Sequence, residues 1–178
     1  MRLFVLAALG AAAFSAPAHA ADLATIDCVV GKLKPALTQQ ITSDISRNMG
    51  DAATLRPSYD AAVGSGISIA ARECADANKW SDTALEAARV YTLAKLGQPI
   101  AEKAVTDQGF DPGALEAQFD ALPEDTQNRP LTKEEMQALV IASVTDEAKQ
   151  TRANAALLNK YFLFLSTVRY AAWQFSQA

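Results

Sequence analysis

The sequence contains only one histidine, His19, and it falls within a predicted secretory signal. Arg2 begins a short positive segment, residues 3–14 are apolar over about the length of a signal core, and residues 18–20 form a small-x-small cleavage site. Cleavage after Ala20 would leave a mature chain, residues 21–178, without histidine. The prediction therefore excludes Ser-His-Asp and Cys-His catalysis, a histidine general base and histidine-containing zinc or haem sites.

Positive charge is scarce as well. Without Arg2, 15 basic residues stand against 20 acidic ones, a net charge of −5, and the basic residues form no cluster. This composition predicts no nucleic-acid partner. The apolar part of the signal, about 12–15 residues, is short for a membrane span, which needs roughly 20, and Lys160 and Arg169 interrupt the apolar C-terminal stretch. We therefore expect an exported protein, periplasmic or secreted, with no transmembrane segment in its mature chain.

Cysteine is limited to Cys28 and Cys74. An exported chain with an even number of cysteines usually pairs them, so we predict one disulfide bond. The spacing is not Cys-x-x-Cys, which excludes a redox-active or haem-attachment motif, and two cysteines alone do not make a structural zinc site. No metal or cofactor is predicted.

No segment shows a convincing strand pattern, and the apolar spacing predicts an all-α, single-domain bundle of about five to six helices. Residues 23–49 carry apolar side chains three and four positions apart, with Pro35 predicting a kink or two shorter helices. Residues 57–78 follow with small residues every fourth position. Because Cys28 and Cys74 lie at similar distances from the connector, we expect an N-terminal antiparallel αα-hairpin stapled by the disulfide. The small residues of the second helix are Ala62, Gly66, Ala70 and Cys74.

The middle of the chain carries local helix signals. Ser81 predicts the cap of a third helix, which Gly97-Gln98-Pro99 is expected to break. Asp111-Pro112 predicts the start of a short helix, and Thr132-x-x-Glu135 a capping box. Residues 123–130 are expected to form a mobile polar loop, and a further break is expected near residues 143–147.

The final segment, residues 154–175, contains six of the thirteen aromatic residues and predicts a long C-terminal helix. Its apolar residues exceed one face of a helical wheel. Four of them lie on or beside the polar arc, namely Phe162, Leu163, Tyr170 and Trp173. Either the helix is covered on both sides, or these residues form a patch for a partner, an apolar ligand or a membrane surface, with Arg169 as a polar anchor.

The sequence carries no catalytic motif. Gly64-Ser65-Gly66 lies in a helical pattern, where close helix packing explains it better than phosphate binding. The predicted function is therefore a non-catalytic binding or protein-interaction module that uses the C-terminal helix. One alternative is a carrier of an apolar small molecule or lipid, with Phe162, Leu163 and Phe164 lining a cavity between helices. Another is a carboxylate-based hydrolase, which would require an acidic pair such as Glu73 and Asp76 to converge in a cleft.

Overall fold

The computed structural model describes residues 20–51 and 57–178, and within them every regular element is helical. The all-α class is confirmed, with eight α-helices in the described residues rather than five to six. The helices are α1 Cys28–Lys32, α2 Pro35–Gly50, α3 Ala61–Asn78, α4 Asp82–Asp107, α5 Pro112–Asp120, α6 Glu124–Gln127, α7 Lys133–Ala142 and α8 Arg152–Ser176. Short 3₁₀ turns precede α1 and α8. The predicted signal peptide, apart from Ala20, and residues 52–56 of the predicted connector lie outside the described residues.

The disulfide bond joins Cys28 of α1 to Cys74 of α3, with the two Cα atoms 6.0 Å apart. Midway along the pair of segments, Leu37 of α2 packs against Gly66 of α3, where an added Cβ would lie 2.2 Å from the leucine Cδ2. Near the turn, the Asn48 side chain exchanges two hydrogen bonds with the Ser58 backbone. The sequence separation between contacting residues therefore shrinks toward the connector, as it does in an antiparallel pair of segments. This pattern confirms the disulfide-stapled antiparallel hairpin. Pro35 stands at the first turn of α2, so the proline divides this arm into two helices as predicted.

Asp44 holds the start of α3 against α2. Its side chain is 1% exposed and accepts hydrogen bonds from the side chains of Gln40 and Arg47 and from the backbone amide of Asp60, at 2.7–2.9 Å. The bond from the Asp60 amide, with those from the side chains, lowers the pKa of the Asp44 carboxyl below 3.8 although burial opposes the shift. The ionised carboxylate is therefore the form that the fold stabilises.

Acid is expected to remove the contribution of Asp44 to stability. Because the pKa of this carboxyl is lower in the folded than in the unfolded chain, its contribution is fully present above about pH 3.8 and is lost as the pH falls through the folded pKa. Urea unfolding at pH 7 should show Asp44→Asn to be less stable than the wild type, with the difference shrinking below pH 4. A difference that stays constant with pH would contradict this role of the charge.

Helix α4 continues through Gly97-Gln98-Pro99, so the predicted break is wrong. Pro99 is exposed, which leaves water access to the carbonyl that lacks its usual amide donor. Gly97 is buried and lies directly under the ring of Phe164 in α8; a Cβ at position 97 would lie 2.2 Å from the phenylalanine Cε1. Packing against α8 therefore overrides the local helix-breaking signal.

Two glycine-to-alanine substitutions are expected to change stability in opposite directions. Gly97→Ala places a methyl group into the ring of Phe164 and should lower the free energy of unfolding by about 1–3 kcal/mol. Gly64→Ala meets no atom within 4 Å and should raise it by up to about 1 kcal/mol through helix propensity. Urea denaturation of both variants provides the comparison; stabilisation by both would show that α4 and α8 do not approach closely at Gly97.

The local signals around α5 to α7 hold in the structure. Asp111 caps α5 by accepting from the amide of Gly113, and Thr132 and Glu135 form the predicted capping box of α7. Arg129 donates to both carboxylate oxygens of Glu135 at 2.6 and 2.9 Å, and with the Thr132 amide this lowers the pKa of Glu135 to about 2. The expected polar loop at residues 123–130 instead contains the helical turn α6, whose Thr126 hydroxyl accepts a hydrogen bond of 3.4 Å from Arg129.

Helix α8 is the element on which the other helices converge. It packs along α4 and also contacts α5, α6, α7 and the first 3₁₀ turn. Phe175 meets Trp80 edge to face with ring centroids 4.9 Å apart, and the buried hydroxyl of Tyr161 donates to the Pro112 carbonyl at 3.1 Å. Burial, with nearby carboxylates, raises the pKa of Tyr161 to about 12. Covering by several helices accounts for the buried Phe162, whereas Leu163 and Trp173 stay exposed.

Candidate binding cavity beside the C-terminal helix

The residues predicted for a partner surface do not share one environment. Phe162 is fully buried and cannot contact a partner from the folded protein. Leu163 is 49% exposed, Trp173 is 42% exposed and Tyr170 is half-buried. Only the last three therefore remain available on the outer side of α8.

Arg169, the predicted polar anchor, is paired within the chain. Its guanidinium donates to Glu116 at 2.8 Å and to Asp120 at 3.2 Å, both on α5. These carboxylates lie one helical turn apart and share one cation, so the group connects α5 to α8. No local pattern indicates this pairing, because Arg169 lies about 50 positions from its partners.

A cavity of about 260 Å³ lies between α2, α4 and α8. Leu163 and Phe164 line it, as the carrier hypothesis predicted, whereas Phe162 does not. The full lining is Asn48, Met49, Pro57, Tyr59, Val90, Leu93, Ala94, Lys160, Leu163, Phe164 and Thr167. Leu163, which is half exposed on the outer side of α8, thus also borders an apolar space between helices.

The lining of the cavity consists mainly of apolar atoms. Val90, Leu93 and Ala94 come from one stretch of α4, and Leu163 and Phe164 face them from α8. Val90 and Leu163 are about half exposed, at 46% and 49%, which places apolar side chains at the opening. Small-molecule sites are typically lined this way, with a few polar groups that fix orientation, although their volume is usually about 300–1,000 Å³.

Polar groups hold the α2 side of the opening in place. Asn48 fixes the Ser58 backbone, next to the lining residue Tyr59. The Lys160 ammonium of α8 donates to the carbonyl oxygens of Asn48, at 2.5 Å, and of Asp51. Burial lowers the pKa of Lys160, while the Asp51 charge opposes the shift. A cation at the C-terminal end of α2 also complements the helix dipole, so Lys160 ties α8 to α2 beside the cavity.

A second, more open and more polar cavity of about 440 Å³ adjoins the first. It lies between the end of α2, the second half of α4 and the start of α8. Its lining includes Met49 and Lys160, which also line the first cavity, together with Ser46, Gly50, Ile100, Lys103, Ala104, Asp107, Gln108, Ala153, Asn154 and Leu157. The two spaces are therefore neighbours that share two lining side chains.

The acidic pair considered for hydrolysis lies elsewhere. Glu73 and Asp76 are exposed on α3 and line neither cavity. Within residues 20–51 and 57–178, no group of three or more His, Cys, Asp or Glu side chains is placed to hold a metal ion. Across the same part of the chain, no helix has the length and apolar character of a membrane span.

Most of the cavity residues carry no distinctive signal in the sequence. Met49, Ala94 and Tyr59 are ordinary apolar or aromatic residues of their helices or loop, and nothing in their spacing marks them. Val90 gave a usable signal, because it is an apolar residue outside the Leu85, Ala88, Leu93 and Leu96 pattern of α4. Comparison of this chain with protein-family models, with curated proteins and with solved structures found no match.

Proposed function

We propose that this protein is a non-catalytic binding protein that carries an apolar small molecule in the cavity between α2, α4 and α8. The observation that carries the proposal is the cavity itself. It is bordered mainly by apolar side chains of α2, α4 and α8, includes the half-exposed Val90 and Leu163, and has few polar groups in its lining. Burying an apolar ligand there would yield about 25 cal/mol for each Å² of apolar surface removed from water.

Export forms part of the proposal. The predicted signal supports it, and the Cys28–Cys74 disulfide supports it independently, because such bonds persist in oxidising compartments such as the bacterial periplasm or the extracellular space. A carrier in such a compartment would shield an apolar molecule from water during transfer.

Filling the cavity is expected to abolish binding. Ala94 is 3% exposed and lines the wall, so Ala94→Phe should place its ring in the space that a ligand would occupy. Titration with the neutral fluorescent probe N-phenyl-1-naphthylamine should give saturable binding to the wild type and at least a tenfold loss of affinity in the variant. A tenfold loss corresponds to about 1.4 kcal/mol, less than the burial of two methylene groups.

The matched control is Ala77→Phe, which adds the same ring at an exposed position of α3 and should bind the probe like the wild type. Leu163→Glu gives a second test at the half-exposed opening, where a carboxylate should weaken binding without disturbing the core. Circular dichroism verifies that each variant folds. If the wild type does not bind the probe, or Ala94→Phe binds it equally well, the cavity is not the binding site.

A protein-interaction surface on α8 is the second candidate, favoured by the exposure of Trp173 and Leu163. Large aromatic side chains contribute strongly where a partner covers them. A photo-reactive phenylalanine analogue placed at Trp173 should crosslink to one defined partner in the exporting cell, whereas the same analogue at Ile141, 66% exposed on α7, should not. Equal crosslinking at both positions, or none at either, would count against the surface.

A further inference from the structure

Two side chains lie at the boundary between the two cavities. Met49 and Lys160 each line both spaces. Methionine is unbranched and adapts its shape readily, and the aliphatic stem of lysine can follow an apolar surface while its ammonium stays on polar partners. On one side of this pair lies the apolar cavity. On the other side lies the larger, more polar cavity, whose lining includes Ser46, Gln108 and Asn154.

The charges around the second cavity are already paired. Lys103 donates to both carboxylate oxygens of Asp107 at 2.8 Å. Lys160 donates to two backbone carbonyls at the end of α2 and faces the charge of Asp51. A charged head group of either sign would therefore meet no unpaired opposite charge among the described lining residues.

Ser46 and Asn154 each donate one hydrogen bond within the chain, to the carbonyls of Thr42 and Lys149. Their oxygens can still accept, and the Gln108 amide can both donate and accept, so these groups can exchange hydrogen bonds with an uncharged polar group.

We propose that the two cavities together hold one single-chain amphiphile with an uncharged, hydroxyl-rich head, of the monoacylglycerol type. Its chain occupies the apolar cavity, its head occupies the polar one, and the molecule passes between Met49 and Lys160. This inference rests on the proposed function and adds the chemical class of the ligand. The two open spaces together offer about 700 Å³, which is within the ordinary range for small-molecule sites, whereas the first alone is below it.

Four ligands with the same ten-carbon chain test the inference by displacing N-phenyl-1-naphthylamine: 1-monodecanoylglycerol, decanol, decanoate and decylammonium. The glycerol ester should bind about tenfold more tightly than decanol, the increment of one or two net hydrogen bonds. Decanoate and decylammonium should bind no more tightly than decanol. Equal affinity for the glycerol ester and decanol, or tighter binding of either ion, would overturn the assignment of the head group.

Two variants with the same substitution on α4 separate the cavities. Ala104→Phe fills the second cavity and should keep probe binding while removing the advantage of the glycerol ester over decanol. Ala94→Phe fills the first and should remove binding of the probe and of every ligand. Should Ala104→Phe fail to fold, Gln108→Leu removes a polar group from the same cavity at an exposed position and should reduce the same advantage.

The pattern of results distinguishes the two claims. Probe binding that Ala94→Phe abolishes, without any preference among the four heads, retains the proposed carrier and rejects the amphiphile. A preference for the glycerol ester that Ala104→Phe leaves intact also rejects the second cavity as the site of the head. Absence of probe binding to the wild type rejects the carrier itself.

Discussion

Replacing both Cys28 and Cys74 by alanine is expected to lower the free energy of unfolding by about 4 kcal/mol on the chain-entropy model. The bond spans a sequence separation of 46 residues, so its removal releases a large loop in the unfolded chain. For a chain of this size the loss corresponds to a melting temperature about 8–16 °C lower. Differential scanning calorimetry of the wild type and the double variant measures it.

Reduction provides the control for the disulfide. A thiol reductant should destabilise the wild type by a similar amount and leave the double alanine variant unchanged, since the variant has no other cysteine. If the two proteins melt at the same temperature without reductant, the bond does not stabilise the hairpin.

Truncating Phe162 is expected to be as damaging as removing the disulfide. This side chain is fully buried, so Phe162→Ala should cost about 3–5 kcal/mol through lost burial and the cavity left behind. Trp173 is already 42% exposed, so Trp173→Ala should cost roughly half as much or less. Urea unfolding of the two variants compares the two sites on α8 directly.

Both substitutions remove a large aromatic from the same helix, which makes them matched. Equal losses in the free energy of unfolding would mean that neighbouring helices cover Phe162 and Trp173 to the same extent, contrary to the exposure of Trp173. A small loss of stability at Phe162 with a large one at Trp173 would mean that Trp173, and not Phe162, faces the core.

Local signals in the sequence predicted several helix starts, because the side chains that cap a helix lie within a few residues of the amides they bind. The Thr132 and Glu135 capping box and the Asp111 cap are such cases. The disulfide hairpin was predictable because helix geometry relates the positions of Cys28 and Cys74 along two adjacent helices. These predictions required no knowledge of distant contacts.

Features that depend on distant packing were not predictable. Gly97 and Pro99 indicate a helix break, yet the Phe164 ring packs against Gly97 from 67 positions further along the chain and α4 stays continuous. A helical wheel of α8 does not show whether Phe162 is covered, because that depends on where the neighbouring helices lie. Packing, rather than propensity, decided both outcomes.

The binding cavity lies beyond sequence reasoning for the same reason. It exists where the side chains of α2, α4 and α8 fail to fill the space between them, and its lining comes from residues 48 to 167. Lys160 meets the Asn48 carbonyl across 112 positions. The apolar character of Leu163 and Phe164 was evident in the sequence, but not the partners that leave a space beside them.

The most direct test of the carrier is the location of a bound probe. Isotope-filtered NMR of the methyl-labelled protein with N-phenyl-1-naphthylamine should show nuclear Overhauser effects from the probe to the methyl groups of Ala94, Val90 and Leu163, which line the cavity. Effects confined to methyl groups elsewhere, such as that of the exposed Ile141 on α7, would contradict the account, as would a complex that shows none.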